Sequence, residues 1–525
     1  MSRTARSLLA VTAVVAGCVG ATEVLGAPST PTVPVGTRVP VTAADAVCPY
    51  AESENVAINT SRVSAAIPPV SAGTEQAASA DKEAGAKETA IAEVTRFGQA
   101  KGAAISLVKA GSTASVDVKR PASKQSSAFS AMAAGSLAPG FTVAATTYLD
   151  FDKGTDGQGQ RRGLASQTCP EPGTEFWFLG TAADINRDAE LYLVNPESAP
   201  AQLDIDLYSE AGPITTPTIV AHRGLVIEAA TARTPISLTT LASEAGKQPR
   251  SAVAVHVSVR VGRIAAGLLD AQQRRGVGAG IDWLAPMDKP ATAAVIPGIP
   301  GGKGERSLYL FTPEQGGALV RLSLAGPNGT FTPATEKGSI DSVALDGGKV
   351  VKLDLADAAQ REDFSVIVQA DEPVLAAVRV ATASGKVDYG YVPMAEPLTG
   401  PSVAADVRTA DGYASTLLFT APTGDAKATL TLLTKGKSPK ELRNVVVRAG
   451  TTVEVSLKGI GKAAAVVVTP QPGSAPLYGS RVMTRKADGG DMLTIEPLPP
   501  SRTSTLVPTV VNDLSAGLRP AEVGN

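Results

Sequence analysis

The sequence predicts an all-β protein built as tandem β-sandwich, immunoglobulin-like units behind an N-terminal signal or anchor helix. Three observations carry that expectation. Short apolar stretches with period-two alternation recur between Gly- and Pro-containing turns, as half-buried strands do. The pattern repeats in units of ~105–115 residues, the size of a sandwich domain and too long for a small solenoid repeat. The opening segment pairs two arginines with a short apolar run, the form of an export signal.

That segment comes first. Arg3 and Arg6 precede residues 7–22, which are uncharged and rich in Leu, Ala and Val. The run falls short of the roughly 18–20 residues a spanning helix wants. Residues 1–27 are therefore expected to be a signal peptide, or a membrane anchor if Val24-Leu25-Gly26-Ala27 extends the span. Cys18, in Val15-Ala16-Gly17-Cys18, partly resembles a lipobox and is the candidate lipidation site; the Leu usual three residues before the Cys is Val15 here. Residues 28–44 read as a Pro/Thr-rich spacer and 501–525 as a polar tail.

With Cys18 in the export segment, Cys48 and Cys169 remain of three cysteines, an even pair in an oxidising compartment. A bridge between them would close a loop of ~120 residues, worth about 4–5 kcal/mol in the chain-entropy model. The alternative is two buried thiols. The bridge is expected to clasp an N-terminal β unit over 45–170, a degenerate copy of the repeat, with 71–93 either a helix or a long loop.

The repeats follow, at 171–288, 289–396 and 397–500. Leu191-Tyr192-Leu193-Val194-Asn195-Pro196, Leu308-Tyr309-Leu310-Phe311-Thr312-Pro313 and Leu417-Leu418-Phe419-Thr420-Ala421-Pro422 correspond, their prolines 117 and 109 residues apart. Alternating strands come next, such as Leu203-Asp204-Ile205-Asp206-Leu207 and Val320-Arg321-Leu322-Ser323-Leu324. Leu225-Val226-Ile227, Val351 to Leu355 and Val453 to Leu457 are read as a third common strand. The units close on Ile281-Asp282-Trp283-Leu284-Ala285-Pro286, Tyr389-Gly390-Tyr391-Val392-Pro393 and Leu493-Thr494-Ile495-Glu496-Pro497, with Trp283, Tyr391 and Thr494 taken as equivalent. The expected architecture is an array of independent cores joined by short Pro-containing connections.

Composition narrows the chemistry. The 48 Lys+Arg balance 50 Asp+Glu, which argues against a nucleic-acid partner. Two histidines, His222 and His256, and 4% aromatic residues leave little for metal centres, acid–base arrays or sugar-stacking platforms. No nucleophile elbow, zinc-protease helix or phosphate-binding loop is written in the chain. Asp184, Asn186 and Asp188 have calcium-loop spacing, but Ala189 and Asn195 stand where that loop needs Gly and Glu, so they remain weak candidates beside the reading as a polar turn. Asp150 to Gly157 is a second partial match. Arg161-Arg162 is a weak anion site against a solvated turn, and Trp177 and Trp283 are read as packing rather than ligand platforms. No catalytic residue, cofactor or metal is expected.

Cys48-Pro49, Arg162-Gly163-Leu164, Cys169-Pro170, Glu175-Phe176-Trp177-Phe178-Leu179-Gly180, the Leu191 to Pro196 segment, Gly280-Ile281-Asp282-Trp283-Leu284 and Val295-Ile296-Pro297-Gly298 together resemble the actinobacterial family of exported proteins known as domain of unknown function 5719. The resemblance implies export and a multi-unit β architecture. It brings no activity and no catalytic residues. The resulting expectation is an extracytoplasmic, envelope-associated, non-enzymatic structural or interaction protein. Its partner would be a cell-envelope protein or glycan, and it would meet the membrane through its N-terminus only. The alternatives are a cell-wall or glycan-processing hydrolase, marked by acids clustered in a concave cleft, and a glycan- or solute-binding lipoprotein, marked by a pocket lined by Trp177 or Trp283.

Overall fold

Alternation sets the strands. In Ala318–Gly326, Val320, Leu322 and Leu324 turn into a core while Leu319 and Arg321 face water. In Ala201–Ser209, Leu203, Ile205 and Leu207 do the same. The computed structural model describes residues 37–49, 59–69, 90–97, 102–118, 128–150, 161–242, 249–274, 277–335, 338–355, 362–383, 387–461, 464–500 and 502–507. The fold class is all-β, as the alternation implies. Residues 1–36, with Cys18, and 508–525 lie outside the described residues, and so does 151–157 of the second calcium-like segment.

Four units share one eight-strand plan. The first, sixth, third and fourth strands form one sheet, and the fifth, second, seventh and eighth form the other. The pairings are antiparallel. In the N-terminal unit the strands are Ala43–Pro49, Asn59–Ile67, Ile91–Arg96, Ile105–Ser106, Ser112–Val118, Ala128–Ala134, Thr142–Asp150 and Arg162–Thr168. The second unit uses Glu175–Ala183, Arg187–Asn195, Ala201–Ser209, Gly212–Ile214 with Leu225–Ile227, Thr231–Ala232 with Ile236–Ser237, Arg250–Val261, Ala265–Arg274 and Val277–Leu284. The third uses Ala291–Ile299, Arg306–Phe311, Ala318–Gly326, Gly329–Phe331 with Ser342–Leu345, Val350–Asp354, Phe364–Ala381 and Tyr389–Pro393. The fourth uses Ser402–Val407, Tyr413–Ala421, Ala426–Leu433, Lys440–Val447, Thr451–Ser456, Ala464–Pro470, Tyr478–Arg485 and Met492–Pro497.

Two readings of the repeat change here. Leu225–Ile227 pairs with Ala201–Ser209 in the first sheet, whereas Val350–Asp354 and Thr451–Ser456 pair with the second strand in the other sheet. The triplet is apolar like those strands, but the chain reaches the other sheet only at Thr231–Ala232 and Ile236–Ser237. Of the expected helix or loop over 71–93, residues 71–89 lie outside the described residues, and its end belongs to Ile91–Arg96, the third strand of the N-terminal unit. Thr37–Pro40, inside the expected spacer, pairs with Ser504–Val507 in a separate two-stranded sheet.

The passage from sixth to seventh strand varies. The third unit runs straight through, so Phe364–Ala381 pairs with Ala291–Ile299 at one end and Arg306–Phe311 at the other. The second unit breaks at Gly262, whose φ of +78° suits glycine and whose added Cβ would lie 3.2 Å from Ala201.

The units are not independent cores. Each packs its first sheet on the second sheet of the next, and the fourth packs back on the first, closing a ring over residues 40–503. Val47 and Ala128 meet Val194 and Ala265. Trp177, Leu179 and Ala254 meet Tyr309, Phe311 and Ala377. Ala291–Ile299 lies on Tyr413–Ala421 and Tyr478–Arg485. Val403, Ala405 and Val467 meet Ala66 and Ala144. Such contacts are heterologous, and they end because the rotation closes after four. The four eighth strands touch in turn around a common axis. The ring's ends meet where Val41 N donates to Thr503 O at 3.1 Å.

The N-terminal unit has an alanine-rich core, including Ala65, Ala92, Ala131, Ala133 and Ala145. Within it Cys48 and Cys169 form the expected disulfide, with Cα atoms 4.6 Å apart. A small-residue core buries little area, and the bridge compensates by constraining the unfolded chain.

Candidate functional site

The axis is built from the eighth strands, and each of three levels holds one carboxylate. At the first, Asp388 accepts backbone N–H from Leu164 (3.0 Å), Ile281 (3.1 Å) and Leu493 (2.9 Å), one from each other unit. At the second, Asp282 accepts from Tyr391 N at 2.9 Å, Thr494 Oγ1 at 2.9 Å and Ser166 N at 3.4 Å, again one per unit. At the third, Glu496 pairs with Arg481 at 2.5 Å and accepts from Thr168 Oγ1. Burial pushes the Asp388 carboxyl up to about 7, with the N–H donors pulling the other way, and burial likewise drives the Asp282 carboxyl well above its usual range.

Close approach needs glycine. Gly280 has φ +113°, and a Cβ there would fall 2.5 Å from the Tyr389 ring. At Gly163 a Cβ would strike the Asp388 carboxylate and lie 2.7 Å and 2.8 Å from Ile281 Cγ2 and N. These glycines bring the strands within reach of one carboxylate.

Interfaces away from the axis carry their own polar links. Arg187 pairs with Asp270 at 2.8 Å, Tyr391 donates to the same carboxylate, and Arg379 lies 4.1 Å over the Tyr389 ring. Asp406 pairs with Arg408 and accepts from Thr146 Oγ1 at 2.6 Å; Arg408 and its other partners hold its carboxyl down at about 2 despite burial. Asn195, the buried polar residue of its strand-to-Pro turn, donates to Ala199 O and Ile227 O and accepts from Glu197 N. Thr312 does the corresponding work with Pro373 O and Glu314 N.

Beyond the third level the axis opens into a pit of about 360 Å³. The three connections between units line it, Pro170 and Glu171, Pro286 to Asp288, and Pro393, Met394 and Glu396, and so does the exit from the fourth unit, Pro497 to Pro500. Phe141, Val143 and Phe176 add apolar wall, Glu496 and Thr168 lie at the inner end, and Arg502 pairs with Glu171. Burial raises the Glu171 carboxyl above its usual value, Arg502 opposes that, and Asp45 and Asp288 push it up further.

The segments that make the axis and its walls are those whose pattern stands out in the sequence: Arg162-Gly163-Leu164, Gly280 to Leu284, and Tyr389 to Pro393. The model of the family of unknown function DUF5719 matches residues 117–458, well over half of the chain. This chain is a DUF5719 protein. No curated protein matches it. The DUF5719 match takes in three of the four axial strands, from Arg162–Thr168 to Tyr389–Pro393.

The remaining sequence candidates of this DUF5719 protein are placed as follows. Asp184 caps its own turn, accepting from Asn186 N at 2.7 Å, while Asp188 points from a strand to Arg161; the three calcium candidates do not converge. Among the described residues no group of three or more His, Cys, Asp or Glu could hold a metal ion. Arg161 also meets Glu190 at 3.1 Å, and Arg162 donates to Gly490 O at 2.9 Å, so both arginines serve intramolecular contacts. His256 stacks on Trp177, ring centroids 3.8 Å apart, and burial holds its pKa below the usual value. His222 ends the short helix Pro217–Ala221, with Nδ1 2.7 Å from Thr218 O. Trp177 and Trp283 are both buried at unit interfaces, and neither lines the pit. Followed through the strand pairing, Trp283 and Tyr391 correspond to Ile495, and Thr494 to Asp282 and Gly390. No described helix is long and apolar enough to cross a membrane.

The sequence reading missed Asp282, Asp388 and Arg481. The one visible signal was that glycines and acids sit inside otherwise apolar closing strands.

Proposed function

We propose that this DUF5719 protein is an exported, envelope-associated scaffold that binds a cell-envelope protein or glycan and carries out no reaction. The observation that carries this reading is the use made of its buried acids. Asp282 and Asp388 accept from backbone N–H groups of neighbouring units, and Asp270, Asp406 and Glu496, each paired with an arginine of its own unit, accept from the hydroxyls of Tyr391, Thr146 and Thr168 in another unit, so these carboxylates hold the ring together. A hydrolase would aim a pair of acids at a water-filled cleft; of the acids that line the axial pit, Glu171 is tied to Arg502 and Glu496 to Arg481. The Cys48–Cys169 bridge supports an oxidising compartment, in keeping with the basic, apolar start of the chain. A rigid ring offers its loops and strand edges in fixed positions, which lowers the ordering cost of binding. In-cell crosslinking followed by mass spectrometry tests this: the expected result is a reproducible envelope partner joined through surface residues of 40–503. Recovery of cytoplasmic partners only, or turnover of a cell-wall glycan by the purified protein, overturns it. The axial pit favours a second reading, a solute-binding protein, because a concave apolar pocket with a few polar groups is the usual form of such a site.

A further inference from the structure

We infer that the axial pit is a binding site for a small organic cation, an apolar body carrying a protonated amine. Three features support it. The first is enclosure. About 360 Å³ lies within the roughly 300–1,000 Å³ typical of small-ligand pockets, and the walls come from all four units, so the ring preforms the cavity. The second is the wall. Phe141, Phe176, Met287 and Met394 stand among prolines and alanines, surfaces that gain by covering an apolar body and lose little entropy in doing so. The third is the sign of the rim. Asp45, Glu171, Asp288 and Glu396 face two cations, Lys289 and Arg502, and Arg502 is already paired with Glu171. Burial is the main cause of the raised Glu171 carboxyl, and Asp45 and Asp288 add a smaller push of the same sign. A ligand ammonium would relieve it, whereas a carboxylate would add to it.

This inference does not depend on export or on a macromolecular partner. Its test uses the full chain with the Cys48–Cys169 bridge intact and three probes of one shape: 4-phenylbutylamine, 4-phenylbutan-1-ol and 4-phenylbutyrate. Calorimetric titration at neutral pH should give the amine at least tenfold tighter binding than the alcohol, with the carboxylate weakest. Ala293 is exposed on the pit wall, so Ala293→Trp should fill the space and abolish amine binding without touching a core. Asp288→Asn, at an exposed rim position, should cut the amine's advantage over the alcohol severalfold. Equal binding of the three probes, no binding of any, or amine binding unchanged in Ala293→Trp would each overturn the assignment; unfolding curves for both variants show that the ring is intact.

Discussion

Gly163→Ala is the sharpest perturbation of the axis. Gly163 has φ +152°, and its added Cβ would meet Ile281 N at 2.8 Å, Ile281 Cγ2 at 2.7 Å and the Asp388 carboxylate. None of these is the free end of a flexible side chain: one is backbone, one a buried core methyl, and one a carboxylate fixed by three N–H groups. Strained backbone costs about 1–3 kcal/mol. Overpacking of a tight site adds typically ~1–3 kcal/mol. Pulling Asp388 off a donor adds about 1–3 kcal/mol for the unsatisfied group. The expected loss is therefore roughly 3–6 kcal/mol, even allowing for partial relaxation. Gly212→Ala is the matched control, because Gly212 also has positive φ, +108°, but open space around its Cβ site. It should show the backbone cost alone. The assay is denaturant unfolding of both variants and the parent chain, comparing midpoints at unchanged slope. A Gly163→Ala midpoint no lower than that of Gly212→Ala would refute the close axial approach of the four strands.

Three further outcomes follow. The Asp388 carboxyl titrates near 3.8 in the unfolded chain and at about 7 when folded, so its contribution is full below about pH 4 and is lost as pH rises through 7. That amounts to on the order of 4 kcal/mol; urea midpoints should fall from pH 4.5 to 8, and Asp388→Asn should reduce that slope and leave the part due to Asp282, whose carboxyl burial also drives up, while Asp406, held at about 2, adds nothing to it. Reducing the bridge between Cys48 and Cys169, 121 residues apart, should cost about 5 kcal/mol in the chain-entropy model, and non-reducing peptide maps should show the two cysteines linked. Residues 171–288 expressed alone should fail to unfold cooperatively as a soluble monomer, because the faces bearing Trp177 and Trp283 lose their partners; a cooperative monomer by calorimetry would contradict ring packing.

The sandwiches were legible in the sequence because period two acts locally. Leu203, Ile205 and Leu207 declare their buried face from spacing alone. The disulfide was legible from cysteine parity. Ring closure was not, because its interfaces use the same residue types as the cores. Ala66, Ala144, Val403 and Ala405 read as ordinary strand residues, and nothing local says that they face another unit. The axial acids were hidden for a related reason. Asp282 and Asp388 take their inter-unit donors from more than 100 residues away, which nothing local in the sequence announces. The drift from Trp283 to Tyr391 pointed correctly to packing, but counting back from the closing proline put Thr494 in place of Ile495, because the spacing to that proline differs by one residue between units.

That divergence has a physical cause. Four identical eighth strands would place four copies of each inward residue at every level of the axis. Four carboxylates there would repel at short range without water, and four apolar side chains would leave the surrounding N–H groups unsatisfied. The chain instead takes one acid per level, each from a different unit: Asp388 from the third, Asp282 from the second and Glu496 from the fourth. The other strands at the same levels offer glycine, hydroxyl or backbone N–H. Gly390 sits beside Asp282, its Cβ site 3.4 Å from that carboxylate, and Ser166 and Thr494 share a hydrogen bond of 2.9 Å across the same level. Repetition thus builds the sandwiches, and departure from repetition at the eighth strand lets four of them close on one axis. The eighth strands differ from one another at their axial positions because there they are packed against each other.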